Sequence, residues 1–227
     1  MPRKPSTSEA NHKYEFTSKS RNFEGMCVWQ IQKIGTDEKG GWIENESNLD
    51  YTGFCWVANN AVVCGSAQIS GNAQVLGQAV VCDKAKVSGR ARVDGQARIE
   101  GEATISDAAV VKDKSNVGGV ASLYENAHVY GRSGIFGGAK VHGNADIFYG
   151  AISGTSDVYG EAKVQLGTVS DEASVSGGWI SGKVCGGAKI KGGWVFTKAS
   201  IGGTAEIHSG KARSGKLNNG VHNLPNT

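Results

Sequence analysis

The chain has 227 residues, a formal net charge of +3, 34 glycines and only 3 prolines. This charge is too small to imply a nucleic-acid partner, and its sign is wrong for a DNA mimic. No apolar run approaches the roughly 18 residues of a membrane span, and the N-terminus lacks the apolar stretch of a signal peptide. We therefore expect a cytoplasmic protein with no membrane partner.

The N-terminal quarter of the chain differs in composition from the rest. Residues 1–13 are polar, and we expect them to form a disordered tail. Residues 14–56 contain three tryptophans and an apolar run at 27–31. This pattern predicts a small N-terminal β cap that covers the first coil of whatever follows.

A period of six residues then runs without interruption from 57 to 151. Each hexad has an aliphatic residue at position i, usually Gly at i+2 and Ala or Ser at i+4, and such frequent Gly suits no helix. The aliphatic positions are Val57, Val63, Ile69, Val75, Val81, Val87, Val93, Ile99, Ile105, Val111, Val117, Leu123, Val129, Ile135, Val141 and Ile147.

Each hexad is predicted to be a short strand followed by a turn. In an extended segment, residues two apart face the same side, so the small residue at i+4 and the next aliphatic residue both point inward. Three hexads make one coil, and stacked coils place successive strands about 4.8 Å apart. The sequence therefore predicts an all-β fold, a single-stranded parallel β-helix.

This pattern resembles the hexapeptide-repeat family of left-handed parallel β-helices. Bactofilin-like right-handed helices also have short aliphatic and Gly repeats, and periodicity does not fix handedness; we expect the left-handed form. The segments 40–44 (GGWIE) and 53–57 (GFCWV) resemble the entry to the β-helix in the YdcK-like group of bacterial and phage proteins. That resemblance implies the fold and leaves the function open.

The register changes after Ile147. Several aliphatic steps shorten to five residues, and Gly-Gly-Trp occurs at 177–179 and again at 192–194, fifteen residues later. We expect irregular, shorter coils over 152–209. No periodicity is visible after Gly210, so residues 210–227 are predicted to be a flexible tail.

The five cysteines, an odd number without paired spacing, argue against a secreted disulfide scaffold. Cys64 and Cys82 are one 18-residue coil apart and should stack in one outward column. We expect two free thiols, with a disulfide or shared metal as the alternative; the further ligands of a closed zinc site are missing, so no metal site is predicted. Together with Val62 and Val80 they form an apolar stripe that the cap or a second subunit should cover.

Exposed aromatic and histidine side chains are concentrated on the fourth and fifth coils. Such side chains either steady a Gly-rich sheet by stacking across strands or form a recognition surface. The candidate binding residues are Tyr124, His128, Tyr130, Phe136, His142, Asp146 and Phe148.

Three functions fit these features. We favour a non-enzymatic protein that binds a protein partner or assembles as a homo-oligomer, in the manner of a phage or mobile-element accessory protein that engages a host component. The second is a divergent acyltransferase with His128 or His142 as general base, although uninterrupted hexads leave no room for the loop that encloses such sites. The third is a protein that sequesters a small ligand or nucleotide. No cofactor is predicted.

Overall fold

The computed structural model describes residues 4–8 and 12–226. The fold is an all-β parallel β-solenoid of about 11 turns, as the hexads predict. Of the predicted N-terminal tail, residues 1–3 and 9–11 lie outside the described part, as does Thr227. No helix among the described residues is both long and apolar enough to cross a lipid bilayer.

The N-terminal segment forms an antiparallel meander. Strands β1 (Tyr14–Phe23) and β2 (Met26–Lys33) make a hairpin, and β2 pairs with β3 (Lys39–Ile43) before a 3₁₀ turn at Glu46–Asn48. Strand β3 pairs in parallel with Val62–Val63 and thereby becomes the first strand of the solenoid. The hairpin thus covers the strand edge that the first coil would otherwise expose.

The solenoid consists of three parallel ladders. Ladder 1 contains Trp56–Val57, Gln74–Val75, Arg92–Val93, Val110–Val111, His128–Tyr130, Asp146–Phe148, Lys163–Gln165 and Trp179–Ile180. Ladder 2 contains β3, Val62–Val63, Val80–Val81, Arg98–Ile99, Asn116–Val117, Gly134–Ile135, Ala151–Ile152, Thr168–Val169 and Lys183–Val184. Ladder 3 contains Gln68–Ile69, Lys86–Val87, Thr104–Ile105, Ser122–Leu123, Lys140–Val141, Asp157–Val158, Ser174–Val175, Lys189–Ile190, Glu206–Ser209 and Val221–Asn223. Two longer strands, Trp194–Ile201 and Lys211–Leu217, continue ladders 1 and 2 together.

The predicted register of the regular coils is confirmed. Val93 pairs with Val111 in ladder 1, a step of 18 residues, while Ile99 and Ile105 lie in ladders 2 and 3. All sixteen aliphatic positions of the hexads are fully buried. The core is therefore a continuous inner column of Val, Ile, Leu and Ala that stabilises the fold by hydrophobic burial along its whole length.

The regular hexads end one residue earlier than the sequence predicts. Ala151, assigned to an inward position, is exposed, and Gly150 lies inside instead. The corner between ladders 1 and 2 has lost a residue here, and a Cβ on Gly150 would be 2.9 Å from Ile147 Cγ2. Gly150 N donates to the buried Ser133 hydroxyl, whose own proton can be donated to Tyr130 O at 2.7 Å or Ile147 O at 3.2 Å, so the serine repairs the hydrogen bonding at this break.

The later coils are shorter, as predicted. Strand pairing steps from Asp146 to Lys163, or 17 residues, and then from Trp179 to Trp194, or 15 residues. The shorter coils need Gly at their corners because the chain crosses close to the next turn. At Gly167, for example, a Cβ would be 2.6 Å from Ile180 O.

The prediction of a flexible tail from Gly210 is corrected for most of that segment. Residues Lys211–Leu217 pair with Trp194–Ile201, and Val221–Asn223 pair with Glu206–Ser209. These pairings are backbone hydrogen bonds to an open solenoid edge, which need no aliphatic periodicity.

The hairpin covers the apolar stripe on ladder 2. Val28 packs with Val62, Cys64 and Cys82, and Phe23 and Met26 border the same cluster. Of the two covers predicted for this stripe, the cap and a second subunit, the structure shows the cap. Both thiols are free, as expected. Burial raises the pKa of Cys64 to about 12 and that of Cys82 to about 11.

Candidate functional site

The predicted site residues lie on three different faces. His128, Tyr130, Asp146 and Phe148 form the expected two-by-two block on ladder 1, with His128 paired to Asp146 and Tyr130 to Phe148. Tyr124 and His142 lie on ladder 3, and Phe136 lies alone on ladder 2. The seven residues therefore do not form one continuous surface.

Phe136 packs over glycines of its own ladder. A Cβ added at Gly134 would be 2.9 Å from its ring, and one at Gly118 would be 3.2 Å away. The phenyl ring fills the space that these missing side chains leave, a stabilising arrangement in a sheet with many glycines.

His142 lies inside a stack of three rings on ladder 3. Its imidazole is 4.5 Å from the Tyr124 ring and 5.2 Å from the Tyr159 ring, nearly parallel to both. Its Nε2 is 3.1 Å from Asp157 Oδ1 and its Nδ1 is 3.6 Å from Glu125 Oε2. Both ring faces and both nitrogens are thus engaged within the protein, which favours cross-strand stabilisation as the role of this histidine.

The block on ladder 1 is held together by ring contacts and charges. Tyr130 and Phe148 are 4.9 Å apart, Tyr149 meets Phe148 edge-on at 4.5 Å, and Lys112 Nζ lies 5.2 Å above the Tyr130 ring. Burial, followed by the hydrogen bond with Asp146, raises the pKa of Tyr130 to about 12. The tyrosine therefore stays protonated at neutral pH.

The structure extends this block into a groove that sequence reasoning missed. The tryptophan groove, a cavity of about 290 Å³, is lined by Gln165, Leu166, Trp179, Ser181, Trp194, Val195, Phe196 and Thr197. The two indole rings stack at 6.0 Å, and Trp194 is 5.9 Å from Phe196. A neighbouring groove of about 340 Å³, lined partly by Lys163, connects Trp179 to Tyr130, Asp146 and Phe148.

Two large residues beside the groove adopt the left-handed backbone conformation, which is unfavourable for both. Tyr149 (φ 51°) and Leu166 (φ 60°) lie at left-handed corner positions between ladders 1 and 2. Large side chains rarely take this conformation, which costs roughly 1–2 kcal/mol per residue. Both side chains are nevertheless directed outward, with Tyr149 44% and Leu166 65% exposed.

The other left-handed corners of the solenoid show what such positions normally contain. Most are Gly, and six carry a polar side chain that accepts the backbone N–H of the residue one coil further on. These six are Asn59, Asp83, Asp107, Asp113, Glu125 and Asp171. Tyr149 and Leu166 can make no such bond. The Tyr149 ring compensates by packing against Phe148 and over Gly131, whereas the Leu166 side chain is 65% exposed.

The spacing of the Gly-Gly-Trp motifs was the signal for Trp179 and Trp194. Their fifteen-residue separation places the two indoles on adjacent strands of ladder 1. Sequence reasoning used this spacing to infer a shorter coil but not to infer a surface. Leu166 carried a weaker signal, a large apolar residue where the repeat places Gly or Asp.

A larger cavity lies at the N-terminal end. It measures about 580 Å³ and is lined by His12, Lys13, Lys33, Glu38, Tyr51, Gly53, Phe54, Cys55, Trp56 and Gln74. Its polar groups attach the incoming chain: Lys13 Nζ donates to Asp50 O at 3.0 Å and lies 3.1 Å from Cys55 Sγ. Burial raises the pKa of the Cys55 thiol, so it is a poor nucleophile. We therefore assign this cavity a structural role.

Within residues 4–8 and 12–226, no group of three or more His, Cys, Asp or Glu side chains is arranged to hold a metal ion. No protein-family model matches the chain, and no curated protein matches it.

Proposed function

We propose that this protein is a non-enzymatic β-solenoid binding protein whose contact surface is the outer face of ladder 1 from Tyr130 to Phe196. The left-handed winding and the YdcK-like membership implied by residues 40–57 belong to the same proposal, as does a protein partner rather than a nucleic acid. A rigid solenoid suits this function, because its surface is preorganised and binding costs little conformational entropy.

The observation that carries the proposal is the strain at Leu166, which lines the tryptophan groove; Tyr149 is a weaker second case because its ring also packs against Phe148. Strained backbone conformations persist where the strained residue serves a function. Both residues are largely exposed and border the ladder 1 face, and neither gains the corner hydrogen bond described above. Exposed apolar side chains beside aromatic residues are characteristic of contact surfaces.

Replacement of these two residues by Asn tests the proposal through stability. Asn tolerates the left-handed conformation better than Leu or Tyr does. We expect Leu166→Asn to stabilise the protein by about 0.5–1 kcal/mol, measured as a higher midpoint of urea unfolding. Tyr149→Asn should change the midpoint little, because the relief of strain is offset by the lost ring contact with Phe148. A lower midpoint for Leu166→Asn would mean that this side chain serves the fold, and the proposal would lose its basis.

Contact itself can be tested by photocrosslinking in the native host. A benzophenone amino acid at position 166 should form a specific adduct, while the same probe at Val120, an exposed residue on another corner, should not. An adduct with a second copy of the chain would indicate assembly rather than partner binding. Equal crosslinking from both positions, or none from either, would contradict a contact surface on ladder 1.

A further inference from the structure

We propose that the tryptophan groove binds an acidic segment of a partner protein and that this segment inserts one large apolar side chain between Leu166 and the tryptophans. This inference rests on the proposed function and adds the chemistry of the partner. It is drawn from the charge of the groove surroundings, the way the aromatic rings are engaged, and the size of the groove.

The charges around the groove are predominantly positive. The outward strand positions of ladder 1 from Val110 to Arg213 include four cations, Lys112, Lys163, Lys211 and Arg213. Asp146 is the one carboxylate at these positions in the described chain, and its neighbours across the ladder are His128 and Lys163. A surface of this charge attracts an anionic segment and repels a basic one.

The aromatic rings are arranged to receive an apolar side chain rather than a sugar or a base. Sugars and nucleobases stack on open ring faces. Here Trp179 and Trp194 stack on each other, Lys211 Nζ lies 5.8 Å over Trp194, and Arg213 lies 5.5 Å over Phe196. These contacts occupy ring faces that a sugar or base would need and leave ring edges for contact with an aromatic or aliphatic side chain.

The polar atoms of the groove support the same choice. The indole Nε1 of Trp179 donates to Ser181 Oγ at 3.1 Å, so it is already satisfied within the protein. Recognition of a sugar would need such donors for its hydroxyl groups. A volume of about 290 Å³ is also just below the range of about 300–1,000 Å³ for small-molecule sites. It matches a single anchoring side chain of the kind that dominates protein interfaces.

Lys163 is placed to bind a carboxylate beside that anchor. It lines the neighbouring groove together with Trp179, which also lines the tryptophan groove. A segment that crosses both grooves would thus place its anchor between Leu166 and the indoles and an acidic side chain near Lys163. An ion pair at such a partly covered site contributes to specificity as well as affinity.

A displayed random peptide library, selected on the purified full-length protein, tests this inference. We expect enriched peptides to combine Asp or Glu with Trp, Phe or Leu. A dye-labelled synthetic peptide of the enriched sequence should then bind the wild type in a fluorescence anisotropy titration. Leu166→Asn and Lys163→Glu should each weaken its binding about tenfold or more. Val120→Ala and Lys86→Glu, exposed residues away from ladder 1, are the matched controls and should leave binding unchanged.

Several results would overturn the inference. Enrichment of neutral or basic peptides would contradict the charge argument, and equal binding to Leu166→Asn and the wild type would place the peptide elsewhere. Groove-dependent binding of oligothymidylate or heparin, without any binding of acidic peptides, would show that the ligand is a nucleic acid or a polysaccharide and not a protein segment. If display fails while the probe at position 166 still crosslinks specifically, the contact surface stands and only the acidic-segment inference falls.

Discussion

Single residues at the corners determine how much conformational free energy each left-handed turn of this solenoid costs. Asp107 has φ 56°, and its carboxylate accepts the N–H of Glu125, the corner residue of the next coil, at 3.0 Å. In the same way, the Gly143 N–H donates to the Glu125 carboxylate one coil earlier. Each acidic corner residue therefore offsets its conformational cost with a hydrogen bond that joins successive coils.

Substitution of Asp107 separates these two contributions. We expect Asp107→Ala to destabilise the protein by about 2 kcal/mol, because Ala is strained in the left-handed conformation and cannot accept the hydrogen bond from Glu125 N–H. Asp107→Gly loses the bond alone, so its cost should be within about 1 kcal/mol. The measurement is the urea unfolding midpoint, with Ser106→Ala as the neighbouring control. Equal effects of Ala and Gly would show that backbone strain plays no part at this corner.

At the scale of elements, an arginine of the solenoid binds the turn of the N-terminal hairpin. Its two-residue turn is Glu24-Gly25, with φ 49° and 87° as a tight hairpin turn requires. Arg98 on ladder 2 donates to both carboxylate oxygens of Glu24 at 2.8 Å, and its Nε donates to Glu100. These hydrogen bonds lower the pKa of Glu24 and hold the hairpin over Cys64 and Cys82.

Removal of this arginine should loosen the hairpin without unfolding the coils. At neutral pH the buried Cys64 and Cys82 should react slowly with a thiol reagent, since burial raises their pKa values to about 12 and about 11. In Arg98→Ala we expect their labelling to accelerate about two- to fivefold, as loss of a partly exposed ion pair implies. Peptide mass spectrometry would assign the labelled positions.

Arg92→Ala is the control for this experiment, because Arg92 pairs with Asp94 on ladder 1 and does not touch the hairpin. Rates for Cys64 and Cys82 in the wild type that equal those of the partly exposed Cys27 and Cys185 would contradict coverage by the hairpin. All five thiols should react after denaturation without reductant.

The elements that could be predicted from the sequence are those in which the same pattern of inward and outward residues recurs in every hexad. Sixteen hexads specify inside and outside consistently, so the regular coils could be derived from the period alone. The strand Lys211–Leu217 could not, because its pairing with Trp194–Ile201 relies on the backbone. The hairpin was recognisable as a cap, but its position along ladder 2 depends on the contact between Glu24 and Arg98, which are far apart in sequence.

The candidate site was only half predictable for a related reason. Columns of surface residues can be read from sequence only while the coil length is constant. An 18-residue step from Phe148 leads to Leu166, but the shortened corner places Gln165 beside Phe148 and moves Leu166 to the corner. The groove between Phe148 and Phe196 arises from this change of coil length, and the regular period gave no sign of it.

At the scale of the whole molecule, the solenoid is a linear array whose neighbouring coils stabilise each other. A defect in the middle breaks contacts on both sides, whereas a defect near one end can be relieved by fraying. Ile99 lies in the third strand of ladder 2 after the cap, and Ile207 lies in the last but one strand of ladder 3; both are fully buried. Their positions differ while their environments match.

We therefore expect the same substitution to have different consequences at these two positions. Ile99→Asp buries an unpaired charge between coils on both sides and should prevent folding. Ile207→Asp should leave most of the solenoid intact, because release of the last coil exposes the carboxylate to water. Circular dichroism would report the overall strand content, and hydrogen exchange would show lost protection confined to residues after about Trp194 in the Ile207 variant.

Ile99→Val, which should cost about 1 kcal/mol, controls for the change of size. Complete unfolding of both variants would show that the coils fold as one cooperative unit, and tolerance of both would contradict the inward register from which the fold was derived.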